Sequence, residues 1–298
     1  MSDDARTVVA AGNRLGEGVV WCERTGALLW TDIHNAVLWR HVPATGHTQQ
    51  WPMPERLASF ALCKADGWLL LALASRLAFF HLDTGELRPL CDIPRAPDTR
   101  ANDGGCDRQG RFVFGTLHEP AHGPKHKVGG FFRLNADLTL EALPLPGVAI
   151  SNSIAFSPAG DTMYFCDSLD RRIQRVAYGD TLGVPATFVD LSDRPGEPDG
   201  AAVDAQGGLW SAQWGAARVT RYLPDGQHDR DIHLPTAQPT RPALGGADLS
   251  TLYITSAHDG LVGSDRDPAA GDVFAAPAGV RGLPEVRFAG DPNAALRS

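Results

Sequence analysis

The chain has 298 residues, of which 43% are hydrophobic and 21% charged, a composition typical of a soluble globular protein. Its 27 basic and 35 acidic residues give a formal net charge of −8, which argues against nucleic acid or an anionic membrane surface as a partner. No apolar run approaches the roughly 20 residues of a membrane span, and the polar start Met1–Arg6 predicts no signal peptide.

A unit of short strands and tight turns recurs six times along the chain. The glycines of its first turn are spaced by 41, 43, 50 and 47 residues, at Gly26, Gly67, Gly110, Gly160 and Gly207. A sixth turn at residues 247–250 lacks the glycine. Each turn precedes an apolar strand, and no convincing amphipathic helix is present. The pattern predicts an all-β fold, a six-bladed β-propeller with four-stranded blades around a central channel, formed by residues 1–298 as one domain. An all-β sandwich is the alternative, but it gives no reason for the regular spacing.

Segments outside the repeats indicate how the ring closes. Thr7–Ala10 and Glu285–Phe288 have strand-like sequences, and a closed ring requires one blade to be completed across the termini. We expect the N-terminal segment to join the last blade. The polar segment Thr116–Gly130 is the longest excursion between repeats and predicts an exposed loop, which could act as a lid over a site.

Two other patterns have simple interpretations. The five cysteines are odd in number and show no C-x-x-C spacing, so we interpret them as small buried residues in a reducing, cytoplasmic compartment. A nucleophilic cysteine is the alternative. His118–His122 matches the zinc motif H-E-x-x-H, which works only on a helix. Pro120 inside the motif makes that helix improbable.

Polar residues occupy equivalent positions near the first strand of each repeat. In chain order they are Glu17, Ser59, Asn102, Asn152, Asp199 and Arg241. The first strand of every propeller blade lines the channel, so these positions should converge at one end of the axis. Carboxylate and amide oxygens suit a hard divalent cation such as Ca²⁺ or Mg²⁺, and Mn²⁺, Fe²⁺ or Zn²⁺ could also bind. The alternative interpretation is that they only hydrate the channel and cap strand ends.

Short motifs follow one another in a fixed order along nearly the whole chain. They are Leu15–Trp21 (LGEGVVW), Arg100–Gly104 (RANDG), Gly115–Leu117 (GTL), Ser151–Pro158 (SNSIAFSP), Asp167–Ser168 and Pro198–Gly200 (PDG). This ordered set resembles the SMP-30/gluconolactonase/regucalcin-like family, with its L-G-E-G-P-x-W, R-x-N-D-G, G-T-M, x-N-G-x-x-x-S-P and P-D-G motifs. Val19 replaces the usual proline, and Ser153 replaces the usual glycine.

The resemblance implies a six-bladed propeller with one catalytic divalent metal ion. By the matching motifs, the metal ligands would be Glu17, Asn152 and Asp199, and the substrate-binding residues would be Arg100, Asn102 and Glu119. Glu119 stands one position earlier than the family's acidic residue.

The implied reaction is metal-dependent hydrolysis of a sugar lactone, such as glucono- or xylonolactone, to the aldonic acid. Asp199 is then the candidate general base as well as a ligand. A phosphotriesterase-like metal hydrolase and a non-catalytic calcium-binding propeller are the alternatives. We expect a monomer or weak homo-oligomer.

Overall fold

The computed structural model describes residues 4–261 and 267–294. These residues form 24 strands and one three-residue 3-10 helix, Ser168–Asp170. The strands assemble into six four-stranded antiparallel sheets, which confirms the predicted six-bladed propeller. In the part of the chain that the structure describes, no helix is long and apolar enough to cross a membrane.

The blades repeat one strand order from the channel outward. The channel-lining strands are β2 (Gly16–Cys22), β6 (Leu57–Leu62), β10 (Thr99–Cys106), β14 (Ser151–Phe156), β18 (Glu197–Val203) and β22 (Pro239–Gly245). The second strands are β3 (Ala27–Asp32), β7 (Trp68–Leu73), β11 (Phe112–His118), β15 (Thr162–Asp167), β19 (Leu209–Trp214) and β23 (Thr251–Ser256). The third strands are β4 (Val37–Val42), β8 (Arg76–His81), β12 (Phe131–Leu134), β16 (Arg172–Ala177), β20 (Arg218–Tyr222) and β24 (Val273–Pro277). The outer strands are β5 (His47–Pro52), β9 (Leu87–Asp92), β13 (Leu140–Ala142), β17 (Ala186–Asp190), β21 (His228–His233) and β1 (Arg6–Val9).

The N-terminal strand closes the ring, as predicted. β1 pairs antiparallel with β24, with Arg6 opposite Ala275 and Val9 opposite Val273. The prediction of a strand at Glu285–Phe288 was wrong. That segment forms a single isolated bridge between Phe288 and Cys63, and the buried Phe288 ring packs into the core. Side-chain packing therefore explains its apolar character.

The repeat turns have the backbone conformation that their glycines predict. The five glycines take φ values between 58° and 83°. In the sixth turn, Leu249 takes φ 59° without being a glycine. A positive φ is strained for a residue with a side chain. Contacts with neighbouring residues must therefore stabilise this turn, because the conformational preference of leucine does not.

The core is divided among the six interfaces between neighbouring blades. Each interface in the described part of the chain has its own cluster of buried apolar residues. Phe131, for example, meets Phe165 of the next blade with ring centroids 5.1 Å apart. A blade is therefore buried on both faces, which explains the continuous apolar run Leu69–Leu73 in β7. The five cysteines form no disulfide, and four of them are buried.

Candidate active site

Each channel-lining strand has a register irregularity near its start. In five blades, two residues of the first strand lie opposite one residue of the second strand. The bulged pairs are Gly18–Val19, Asn102–Asp103, Ser153–Ile154, Asp199–Gly200 and Thr240–Arg241. The irregularity in β6 lies between Leu57 and Ser59. Bulges redirect side chains next to functional sites, and here they decide which residues face the channel mouth.

A cavity of about 260 Å³ opens where the channel-lining strands begin. All six predicted site residues line it, namely Glu17, Arg100, Asn102, Glu119, Asn152 and Asp199. The residues proposed as metal ligands come from three blades, so only the closed ring brings them to one cavity.

Ser59 and Arg241 do not line this cavity. The prediction that all six equivalent polar positions converge at one end of the channel is therefore wrong for these two residues. Arg241 is the second residue of its bulge and lines a separate cavity, with Glu285. The Arg241 guanidinium also contacts the carboxylate of Asp103. Ser59 follows the irregularity of its strand and lies beside Gly104. A shift of one residue turns a side chain to the other face of a strand, which explains both differences.

Three carboxylates are close enough to perturb one another. Burial, followed by the charge of Asp103, raises the pKa of Glu17 to about 7. Burial also raises the pKa of Asp199 well above its usual range, and the charges of Glu17 and Asp103 add to this effect. The pKa of Asp103 is raised by burial, although Arg241 opposes the shift. Burial and mutual repulsion thus disfavour the ionised forms of these carboxylates, and a bound cation would favour them.

A chain of hydrogen bonds fixes the two asparagines. Arg100 Nη1 donates to Asn102 Oδ1 at 3.0 Å, and Asn102 Nδ2 donates to Asn152 Oδ1 at 3.0 Å. Asn152 Nδ2 in turn donates to Ser168 Oγ at 2.9 Å, and Ser168 Oγ donates to the carbonyl of Pro198 at 2.8 Å. These bonds assign the amide orientation of Asn152. Its oxygen has a second lone pair with which it can bind a cation.

Arg100 is a buried positive group that lines the same cavity. Its Nε lies 3.3 Å from Glu119 Oε2, and Arg56 also contacts this carboxylate. Burial lowers the pKa of Arg100, while Glu119 opposes the shift. Burial acts to raise the pKa of Glu119, but Arg100 and Arg56 together outweigh it and lower the pKa. Glu119 therefore stays ionised and holds the Arg100 guanidinium by its contact with Nε.

Several lining residues were missed from the sequence. They are His34, Lys125, Glu197, Trp214 and Asp259. His34 Nε2 lies 3.5 Å from Asp259 Oδ2. In an antiparallel blade, the second strand ends where the first begins, so residues at or just after that end also reach the mouth. Trp214, the last residue of β19, follows this rule, and the rule could have found it.

The loop predicted at Thr116–Gly130 is shorter than expected. Thr116–His118 belongs to β11 and is buried, and residues 119–130, termed the lid loop below, have no regular strand or helix. His118 therefore lies in a strand, which agrees with the rejection of a helical zinc motif. The lid loop is anchored near its end, because Gly129 N donates to Val148 O at 2.9 Å and Lys127 Nζ contacts Asp170 at 2.6 Å.

The donor set at the mouth fits a hard divalent cation. Glu17, Asn152 and Asp199 offer two carboxylates and one amide oxygen, which are ligands that such ions prefer. Within residues 4–261 and 267–294, no three His, Cys, Asp or Glu side chains are grouped to hold a metal ion. The amide of Asn152 is therefore needed to complete the set, and the repulsion between Glu17 and Asp199 favours a cation there.

Fold and site together define a class, a six-bladed propeller with a carboxylate-rich, oxygen-donor cavity at one mouth of its channel. The chain belongs to the family described as SMP-30/Gluconolactonase/LRE-like region, whose sequence pattern matches residues 15–258.

Relatives match nearly the whole chain. An L-arabinolactonase of Azospirillum brasilense is 50% identical over 287 residues, which cover 94% of each chain. A 6-deoxy-6-sulfogluconolactonase of Pseudomonas putida is 37% identical and covers 97% of this chain and 100% of its own. Among solved structures, a calcium-binding protein, regucalcin, from Agrobacterium tumefaciens superimposes with a TM-score of 0.89. It is 29% identical, and the match covers 97% of this chain and 98% of that one.

Proposed function

We propose that this protein is a metal-dependent lactonase that hydrolyses a sugar lactone to its aldonic acid. The observation that carries the proposal is the meeting of Glu17, Asn152 and Asp199 in one cavity with Arg100. The similarity to an L-arabinolactonase over 94% of both chains supports lactone chemistry and makes pentonolactones the first candidates. The similarity to a 6-deoxy-6-sulfogluconolactonase supports the same reaction on a hexonolactone.

The residues divide into holding and reacting roles. Glu17, Asn152 and Asp199 would hold one divalent ion (Ca²⁺, Mg²⁺, Mn²⁺, Fe²⁺ or Zn²⁺), which when bound would polarise the lactone carbonyl. Asp199 would accept the proton of the attacking water, because it is a carboxylate that lines the cavity at the edge of the cation site. The water oxygen bonds to the carbonyl carbon, the ring C–O bond breaks, and the ring oxygen takes up the proton as a hydroxyl.

Arg100 and Asn102 have different roles in this proposal. Arg100 would donate hydrogen bonds to substrate oxygens, and Glu119 would hold its guanidinium in place. Asn102 has little capacity left for a substrate. Its Nδ2 donates to Ser151 O at 2.8 Å and to Asn152 Oδ1, and its Oδ1 accepts from Arg100. We therefore assign Asn102 the task of orienting Asn152, and one lone pair of its oxygen is left for the substrate contact expected from the sequence.

The cellular setting is part of the same proposal. The net charge of −8 supports a small-molecule substrate without nucleic acid or membrane partners. The five cysteines without a disulfide support a cytoplasmic location. We propose a monomer or weak homo-oligomer.

A lactone screen tests the function. Metal-stripped protein is offered L-arabinono-, xylono- and gluconolactone before and after addition of each of the five cations, and acid release is followed with a pH indicator. We expect little turnover until a cation is restored. Full activity of the metal-stripped protein would contradict the metal requirement.

A phosphotriester substrate is tested in parallel, because faster turnover of this substrate would favour a phosphotriesterase-like enzyme. Cation binding without any ester turnover would indicate a non-catalytic propeller.

A further inference from the structure

Ser153 occupies a conformation that suits glycine. It is fully buried, lies directly after Asn152 and has φ 58°. A residue with a side chain is strained in this left-handed region. The related motif has glycine here, as described above, so this chain keeps a strained residue where an unstrained one would fit. A strained residue next to a candidate ligand indicates that its side chain contributes something that glycine cannot.

The hydroxyl of Ser153 connects two blades. Ser153 Oγ donates to the carbonyl oxygen of Asp199 in the next blade at 2.6 Å, and Cys166 Sγ donates to Ser153 Oγ at 3.4 Å. The hydroxyl thus donates its proton to Asp199 in the next blade and accepts a hydrogen bond from Cys166 in its own blade. Replacement by glycine would remove both contacts.

The backbone around Asp199 depends on such contacts from the neighbouring blade. Asp199 lies in the bulge of β18, between the paired residues Pro198 and Ala201, and has no partner directly opposite it on β19. The carbonyl of Pro198 is held by Ser168 Oγ, as described above. Two hydroxyls of one blade therefore hold two consecutive carbonyls of the next.

We propose that Ser153 is a positioning residue that fixes the backbone of Asp199 relative to Asn152. The hydrogen bond from its hydroxyl to the Asp199 carbonyl sets the direction of the Asp199 carboxylate. Because Ser153 directly follows Asn152, that direction is fixed relative to the Asn152 amide. The inference rests on the proposed function, in which Asn152 and Asp199 bind the same cation. A merely structural serine would affect stability alone.

Two substitutions separate the hydroxyl from the backbone strain. Ser153→Gly removes both the hydroxyl and the strain, whereas Ser153→Ala removes the hydroxyl and keeps the strain. Ala217→Gly is the control, because Ala217 also has a positive φ of 54° but lies in the turn after β19 and lines no described cavity. Each protein is measured for its midpoint of thermal unfolding, its Kd for the activating cation by calorimetry, and its kcat and KM at saturating cation.

If Ser153 positions Asp199, both Ser153 variants should bind the cation about three- to tenfold more weakly than wild type, as expected for one lost hydrogen bond. Their kcat should fall while KM for the lactone stays close to wild type. Their unfolding midpoints should differ, with Ser153→Gly the more stable. Ala217→Gly should gain stability without a change in cation affinity.

The inference would be overturned if cation affinity followed stability. In that case Ser153→Gly would bind the cation as tightly as wild type, and only Ser153→Ala would bind it more weakly. Wild-type affinity in both variants would overturn it as well. A wild-type protein that binds no divalent cation would refute the proposed function, and this inference with it. The wild-type titration therefore distinguishes the two failures.

Discussion

In the proposed mechanism, Asp199 has two functions, cation ligand and general base, which a single substitution can separate. Asp199→Asn keeps the size and one oxygen donor but removes the negative charge and the basicity. We expect this variant to retain weakened cation binding and to lose lactone hydrolysis by about 10²–10⁴-fold, the usual contribution of a general base. The measurement is kcat as a function of cation concentration up to saturation. Recovery of wild-type kcat at saturation would show that Asp199 is only a ligand.

Arg100 and Asn102 should respond differently to truncation, because Asn102 bonds directly to the Asn152 amide and Arg100 does not. Arg100→Ala should raise KM or lower kcat by about tenfold or more, as for a lost hydrogen bond to a charged group. Its cation Kd should stay near wild type. Asn102→Ala should weaken cation binding several-fold, since Asn152 loses its hydrogen-bond donor. Calorimetric titration of both variants checks this difference, and unchanged cation affinity in Asn102→Ala would contradict the assigned role.

At the residue scale, the sequence predicted which residues line the cavity better than it predicted the strand register. Glu17, Asn152 and Asp199 were placed together because equivalent blade positions converge in a closed ring. Ser59 and Arg241 were misplaced because a bulge shifts the register by one residue, and no pattern in the sequence marked the shift. Asp103 was missed for the same reason, since only the bulge turns its carboxylate toward Arg241.

The lid loop is the element with the least regular structure around the cavity. Its exposed residues Ala121–Gly123 lie between two prolines, whereas His126 N donates to His118 Nδ1 at 2.9 Å. We therefore narrow the predicted mobility to residues 120–124. In hydrogen exchange, the amides of Ala121–Gly123 should exchange much faster than those of β11.

Substrate binding gives a second measurement on the same loop. Lys125 lines the cavity and donates from Nζ to the carbonyl of His118 at 3.0 Å. A bound lactone or aldonate should therefore slow exchange at Lys125 and His126. Equal protection of Ala121–Gly123 and β11, with and without ligand, would contradict a lid. The predicted loop began three residues early, because Thr116 and His118 are polar and yet paired in β11.

At the scale of the molecule, the repeat spacing was sufficient to predict the fold. Every blade needs the same turn and the same buried strand. Turn glycines about 41 to 50 residues apart therefore predict the number and order of the blades. The end of the chain was harder to predict. Residues 285–288 have apolar positions like those of a strand, but they cross the ends of other blades, where Lys64 N donates to Phe288 O at 2.9 Å. A strand-like sequence pattern in residues 285–288 cannot show that these residues have no neighbouring strand with which to form a sheet.

We also propose that residues 1–298 form one folding unit whose stability depends on ring closure. Deleting residues 1–9 removes β1, its pairing with β24, and the bond from Ala5 N to His233 O. Each backbone hydrogen bond contributes about 1 kcal/mol, so the free energy of unfolding should fall by about 2–5 kcal/mol. Val8→Ser is the control, since Val8 is 40% exposed and its replacement should change stability by about 0.5 kcal/mol or less.

Urea unfolding followed by tryptophan fluorescence and circular dichroism measures this change. The tryptophans lie in the first, second and fifth blades, whereas circular dichroism reports all six. Because the blades share their cores across every interface, the two transitions should coincide in the full chain. The truncated protein should unfold at a lower urea concentration, since an open ring leaves the sixth blade without its outer strand. An unchanged midpoint after truncation would contradict the role of β1, and separate transitions in the full chain would contradict a single folding unit.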